Sequence, residues 1–195
     1  MSRKLFIVDP QNDFMDNGSL PVKGSLQRMQ SLADYLMSLP LDYYGKIYVS
    51  LDWHPINHCS FTEQGGPWPT HCVAFTQGAL VTDSVMQALR NWMKADKVEF
   101  ILKGKARNRE EYSSLDNTAN AVHLKAGLTN VEMLDVCGVV GTVCVQNTLK
   151  GLLQKVLPAE RITVLPAYTA QFDAEGEARF MEWLKVNGIR WKDNA

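Results

Sequence analysis

Short β-rich apolar runs alternate along the chain with segments whose apolar positions recur at a helical spacing, and each switch marks a change of element. Leu5-Phe6-Ile7-Val8 reads as a first strand. From Leu26 to Leu39, the residues Leu26, Met29, Leu32, Ala33, Leu36 and Met37 recur at i, i+3, i+4 spacing, which predicts a helix with those side chains inward and Pro40 as its stop. Ile47–Leu51 reads as a second strand and residues 82–95 as a helix, with Val85, Met86, Leu89, Trp92 and Met93 inward and Thr82 as N-cap. Val98–Leu102 is a third strand, Ala119–Ala126 a short helix, and Val131–Val140 holds a fourth strand that leads into a helix over Thr142–Val156. Ile162–Leu165 is a fifth strand, 173–187 a helix, and Ile189-Arg190-Trp191 a short sixth strand.

Strands that alternate with helices predict an α/β fold of three layers, with a mostly parallel six-stranded sheet, Rossmann-like, covered by helices on both faces. In such a sheet the ligand site lies beyond the carboxyl ends of the strands. That rule selects Asp9, Asp52, Lys103 and the run Val140–Cys144. Two long stretches without periodicity, 54–80 and 104–117, are expected to be functional loops, because a compact domain rarely keeps long irregular segments otherwise.

Composition narrows the function classes. A chain of 195 residues fits one domain over 1–195 with a sizeable core. It is 46% hydrophobic with a formal net charge of −1, so its charge balance predicts no nucleic-acid partner, and no apolar run predicts a membrane span. Cys59, Cys72, Cys137 and Cys144 form no C-x-x-C pair, which predicts free thiols and a cytoplasmic setting. Gly138-x-x-Gly141 lies between a strand and a helix, but the full dinucleotide fingerprint and a P-loop are both missing, so a dinucleotide cofactor is rejected.

The strand-end residues bring chemistry. Asp52 and three of the chain's four histidines, His54, His58 and His71, fall within one short stretch, and Asp oxygen with His nitrogen suits a divalent metal such as zinc, iron or manganese. Asp9, in Asp9-Pro10-Gln11-Asn12-Asp13-Phe14, reads either as a turn residue or as a carboxylate aimed into the crevice. Lys103 is preferred over Lys105 because Gly104 stops the strand. Cys144 reads either as a small buried hydrophobe or as a nucleophile whose thiolate is stabilised by a helix start. His123 is expected on the surface.

Taken together, these residues resemble the nicotinamidase/pyrazinamidase family of isochorismatase-like cysteine hydrolases. The resemblance rests on Asp9-Pro10-Gln11-Asn12-Asp13-Phe14, Asp52-Trp53-His54-Pro55 with His58 and Ser60-Phe61, Trp68-Pro69-Thr70-His71-Cys72-Val73, Lys103-Gly104 and Cys144. It implies a catalytic triad of Asp9, Lys103 and Cys144, and oxyanion donors on the backbone of Val140 and Cys144, with a cis peptide at Val139–Val140. It implies one divalent metal, zinc first among the candidates, held by Asp52, His54 and His71, with His58 either a ligand or just outside the ligand set and Ser60 holding a metal-bound water. It implies a pyridine ring sandwiched by Phe14 and Trp68, nicotinamide as substrate with pyrazinamide also accepted, a place in NAD salvage, and room for a homo-oligomer. Many members carry Ala-Thr-Asp where this chain has Val140-Gly141-Thr142, a difference that bears on fine specificity. The alternatives are a different small-amide hydrolase on the same fold and a catalytically silent binding scaffold.

Overall fold

The computed structural model describes residues 2–193. Its sheet has six parallel strands: β1 (Arg3–Val8), β2 (Lys46–Asp52), β3 (Val98–Lys103), β4 (Met133–Val139), β5 (Ile162–Ala170) and β6 (Arg190–Trp191), in the order β3-β2-β1-β4-β5-β6. Five helices cover it: α1 (Ser25–Ser38), α2 (Asp83–Lys94), α3 (Thr118–Leu128), α4 (Gln146–Lys155) and α5 (Ala174–Val186). The expected α/β architecture is therefore the one observed. No helix among the described residues is long and apolar enough to cross a membrane.

Strand alternation divides the core in two. Leu5, Ile7, Ile47, Val49, Cys137 and Val139 face α1 and α2, while Phe6, Val8, Tyr48, Leu134 and Val136 face α3, α4 and α5. The strand order reverses between β1 and β4. That switch point opens a crevice beyond the carboxyl ends, with Asp9 leaving one wall and Cys144 the other.

Several sequence boundaries move. Leu26, Met37 and Met93 are 49%, 61% and 43% exposed, so the inner stripes of α1 and α2 are narrower than the spacing suggests. Thr82 precedes α2 but makes no side-chain cap hydrogen bond. The helix expected from Thr142 begins instead as a π-type turn, Gly141–Val145, before α4 proper. β5 runs past Pro166 to Ala170, because its register against β4 jumps from Val136↔Val164 to Gly138↔Thr169 and the bulge accommodates the proline.

Candidate active site

Three strand ends deliver three reactive groups to one point. Asp9 follows β1 with φ 48°, a left-handed backbone that is uncommon outside glycine but that Asp tolerates. Its N–H donates to Ser50 O at 3.1 Å, and Ser50 Oγ donates to Asp9 Oδ1 at 2.7 Å. Lys103 ends β3 and is fully buried; its Nζ lies 2.9 Å from Asp9 Oδ2, 2.5 Å from Asp52 Oδ1, 3.7 Å from Cys144 Sγ and 3.3 Å from Glu111 O. The Lys103 contact to Asp9 Oδ2 is an ion pair without hydrogen-bond alignment, and that oxygen has no hydrogen-bond partner among the described residues. Asp9, Asp52 and Cys144 each bring one polar atom within 4.8 Å of the others.

Electrostatics assign protonation states. Burial pushes the Asp9 carboxyl up to about 6, with the Lys103 charge opposing it, so Asp9 is ionised at neutral pH yet basic enough to take a proton. Burial also opposes charge on Lys103, but Asp52 and Asp9 outweigh it and hold the ammonium well above its ordinary range. The Cys144 thiol is driven well above its ordinary value by burial, against Lys103, with Asp9 and Asp52 adding to the rise. The stabilisation that the helix start offers a thiolate is therefore outweighed by burial. The resting group is a thiol, with the Asp9 carboxylate beside it.

A second cluster adjoins the first. The ligand atoms of Asp52, His54 and His71 lie within 4.8 Å of one another. His54 Nδ1 is 3.0 Å from Gly104 O and His71 Nδ1 is 2.7 Å from Pro69 O. A carbonyl only accepts, so both Nδ1 atoms carry the proton and both Nε2 lone pairs face the cluster. Burial lowers His54 to about 4, keeping the ring neutral. For Asp52, burial favours the acid form, but Lys103, His54 and His71 outweigh it and hold the group ionised. Gly104, at φ 65°, makes room: a Cβ there would sit 2.4 Å from His54 Cε1. These donors fit a divalent cation. His58 does not join them. Its Nε2 is 3.0 Å from Arg109 O and so is protonated, and its Nδ1 accepts from Ser60 Oγ at 2.7 Å. His54, His58 and Glu110 also bring ligand atoms within 4.8 Å, but both His58 nitrogens are already engaged.

The cleft over Cys144 is lined by Phe14, Leu20, Trp68, Tyr112, Val140, Val143 and Phe172, with Asp52, His54, His71 and Glu110 at its polar end. Phe14 tilts against His71 at 5.6 Å, and Trp68 stacks on Phe172 at 6.2 Å while its Nε1 donates to Tyr112 Oη at 3.2 Å. The Val139–Val140 peptide is cis. His123 lies apart on α3, paired with Glu99.

Sequence reasoning missed the residues that hold this geometry. Gln11 Nε2 donates to Asp52 O (2.7 Å) and Ala79 O (2.9 Å), while its Oε1 accepts Asp52 N–H at 2.8 Å. Asp13 Oδ2 accepts Cys72 N–H at 2.7 Å, beside His71. Glu111, 2% exposed, accepts Gly104 N–H at 2.9 Å. Gln11 and Asp13 alternate with Asn12 in a motif already singled out, which was a usable signal; Glu111 sat in a polar run that gave none.

No family model matches the chain. A nicotinamidase from Saccharomyces cerevisiae is 28% identical over 143 residues, 60% of this chain and 64% of that protein, so the aligned stretch spans under two thirds of the relative. Among solved structures, a pyrazinamidase of Pyrococcus horikoshii in complex with zinc superposes with a TM-score of 0.82 at 29% identity, covering 100% of both chains. An L. infantum protein in complex with nicotinate gives 0.81 at 27% identity, covering 98% of this chain and 92% of that one. The fold is shared end to end with these proteins, and the residues at its switch point make the chain similar, over its whole described length, to nicotinamidases and pyrazinamidases.

Proposed function

We propose that the protein hydrolyses nicotinamide to nicotinic acid and ammonia through a thioester on Cys144, accepts pyrazinamide as well, and serves NAD salvage in the cytoplasm. One observation carries the reading: a buried thiol, a carboxylate poised near 6 and a buried ammonium meet beneath an aromatic cleft whose far end is an Asp-His-His donor set. The kinship with proteins solved with zinc and with nicotinate supports the same substrate class.

Asp9 Oδ2 takes the Cys144 proton as Sγ attacks the carboxamide carbon, and the N–H groups of Val140 and Cys144 receive the developing oxyanion. Lys103 holds the local charge balance as the proton moves. Collapse of the tetrahedral adduct returns the proton from Asp9 to the leaving nitrogen, releasing ammonia and leaving the thioester. Asp9 then deprotonates a water that attacks the thioester carbon, and nicotinic acid departs as the thiol is restored. Phe14 and Trp68 flank the ring and keep bulk water from the thioester. Asp52, His54 and His71 would hold a divalent ion, zinc before iron or manganese. Bound there, it supplies a Lewis acid for the ring nitrogen, a positioning role.

The test is ammonia release from nicotinamide, pyrazinamide and aliphatic carbamoyl amides by the purified protein, with metal content measured on the same sample. Turnover of nicotinamide that disappears in Cys144→Ala is the expected result. A preference for carbamoyl amides, or undiminished turnover in Cys144→Ala, refutes the proposal.

A further inference from the structure

The segment that leaves β5 passes directly beside the turn that carries Cys144. Gln171 Oε1 accepts the N–H of Thr142 at 3.0 Å. Its other amide atom fills the space next to Gly141: a Cβ at 141 would lie 1.7 Å from Gln171 Nε2. Gly141 and Thr142 are the first two residues of the π-type turn, three and two positions ahead of the nucleophile. The next residue along, Phe172, points elsewhere. It lines the cleft with Cys144 and lies nearly parallel to Trp68, at an interplanar angle of 19°. Two consecutive side chains from one loop therefore reach two separate parts of the site.

We propose that Gln171 is a positioning residue for the nucleophile turn, that Phe172 sets which ring the cleft admits, and that their adjacency ties nucleophile alignment to substrate fit. The Thr142 N–H belongs to the first turn of a helical segment and has no partner within it. Binding it to the Gln171 carbonyl oxygen fixes how the turn is rotated, and hence where Sγ sits relative to Asp9 and Lys103. The glycine at 141 follows from the same device, because any larger residue would displace the amide that holds the turn.

This inference rests on the amide-hydrolysis reading, and four variants test it separately from that reading. Gln171→Ala should lower kcat for nicotinamide about tenfold, the scale of one lost hydrogen bond, with KM unchanged. Phe172→Ala should raise KM several-fold with the smaller effect on kcat. Gly141→Ala, which pushes the flexible Gln171 amide off Thr142, should lower the thermal midpoint by about 2–4 °C, the scale of one lost hydrogen bond, and should add little further in the Gln171→Ala background, where the methyl group has space. If Gly141→Ala does not fold at all, recovery of folding in the double variant is the expected sign. The midpoint measurements need no substrate, so they judge the contact even if nicotinamide proves not to be the substrate. An unchanged kcat in Gln171→Ala, a KM unmoved by Phe172→Ala, or a Gly141→Ala defect equally deep with and without Gln171 would each overturn the proposal.

Discussion

Both ends of the sheet hold a buried carboxylate paired with a cation, and the two pairs are built for opposite purposes. At the amino end, Asp135 of β4 takes Arg3 Nη1 on Oδ1 at 3.0 Å and on Oδ2 at 2.8 Å, and Tyr44 Oη also donates to Oδ2 at 2.8 Å. Tyr35 Oη meets Tyr44 Oη at 3.1 Å behind it, and burial together with Asp135 pushes the Tyr44 phenol far up, so it remains a donor. Both carboxylate oxygens are satisfied. At the carboxyl end, Asp9 has one oxygen satisfied by Ser50 and one without hydrogen-bond alignment, facing Lys103 and Cys144. Two cysteines repeat the contrast. Cys137 packs in the core with Leu5 and Ile7, while Cys144 touches Lys103. A fully paired carboxylate staples a fold, and a half-paired one keeps an oxygen free for a proton.

Removing the free oxygen's basicity should produce the largest effect. Asp9→Asn preserves the shape and the contact with Ser50 but cannot accept the thiol proton. Its turnover should fall by about 10²–10⁴-fold, the range for loss of general-base catalysis, with the circular-dichroism spectrum unchanged. Turnover within a factor of three of the parent chain would put the base elsewhere.

A smaller loss is expected from the support behind the carboxyl end. Glu111 holds Gly104, whose carbonyl fixes His54, and Lys103 precedes it. Glu111→Ala should lower kcat/KM by about 10–100-fold together with weaker metal retention on dialysis, as for other groups that orient a ligand's supporting bonds. Loss of turnover at full metal content would place the effect on Lys103 instead of His54.

How far the site was readable in the sequence follows from the same division. Asp9, Asp52, Lys103 and Cys144 were found because strand ends in a parallel sheet must face the crevice, and apolar runs mark strand ends well. Gln11, Glu111 and Gln171 were not, because each acts by reaching a backbone group in a distant segment, and no local pattern encodes which loop closes over which. Gln11 bonds to Asp52, 41 residues away, and Gln171 to Thr142, 29 residues away. Tyr112 and Phe172 line the cleft from loops that carry no periodicity. The balance at Cys144, where burial and two nearby carboxylates outweigh the helix start, likewise depends on groups brought together only by the fold. His58 was left open because ligand status depends on which ring nitrogen is free, and Arg109 and Ser60 decide that only in three dimensions.

Acid should distinguish the two ends as well. Asp9 is raised to about 6, so kcat/KM should fall as pH drops through about 6, tenfold per unit below it, as the base becomes protonated. The sign follows from the role: the active form is the carboxylate, present above that value and lost beneath it. A pH profile flat from 7 to 5, with the protein still folded, would mean that no group poised near 6 controls the reaction.

The smallest effect on turnover belongs to the staple. Asp135→Asn removes the charge that Arg3 and Tyr44 address but leaves an oxygen able to accept one bond. Arg3 is one-third exposed, so water can take over part of its solvation, and the cost should be about 1–3 kcal/mol and not the larger penalty of a fully buried broken pair. For a chain of this length that lowers the thermal midpoint by roughly 2–12 °C. Asp135 sits near the start of β4 and the turn carrying Cys144 follows its end, so kcat should stay within a factor of two. Thermal scans and steady-state rates on the one variant settle both halves. A large fall in kcat with the midpoint unchanged would show that the amino-end network serves the chemistry, and that the two carboxylates are not divided between fold and function.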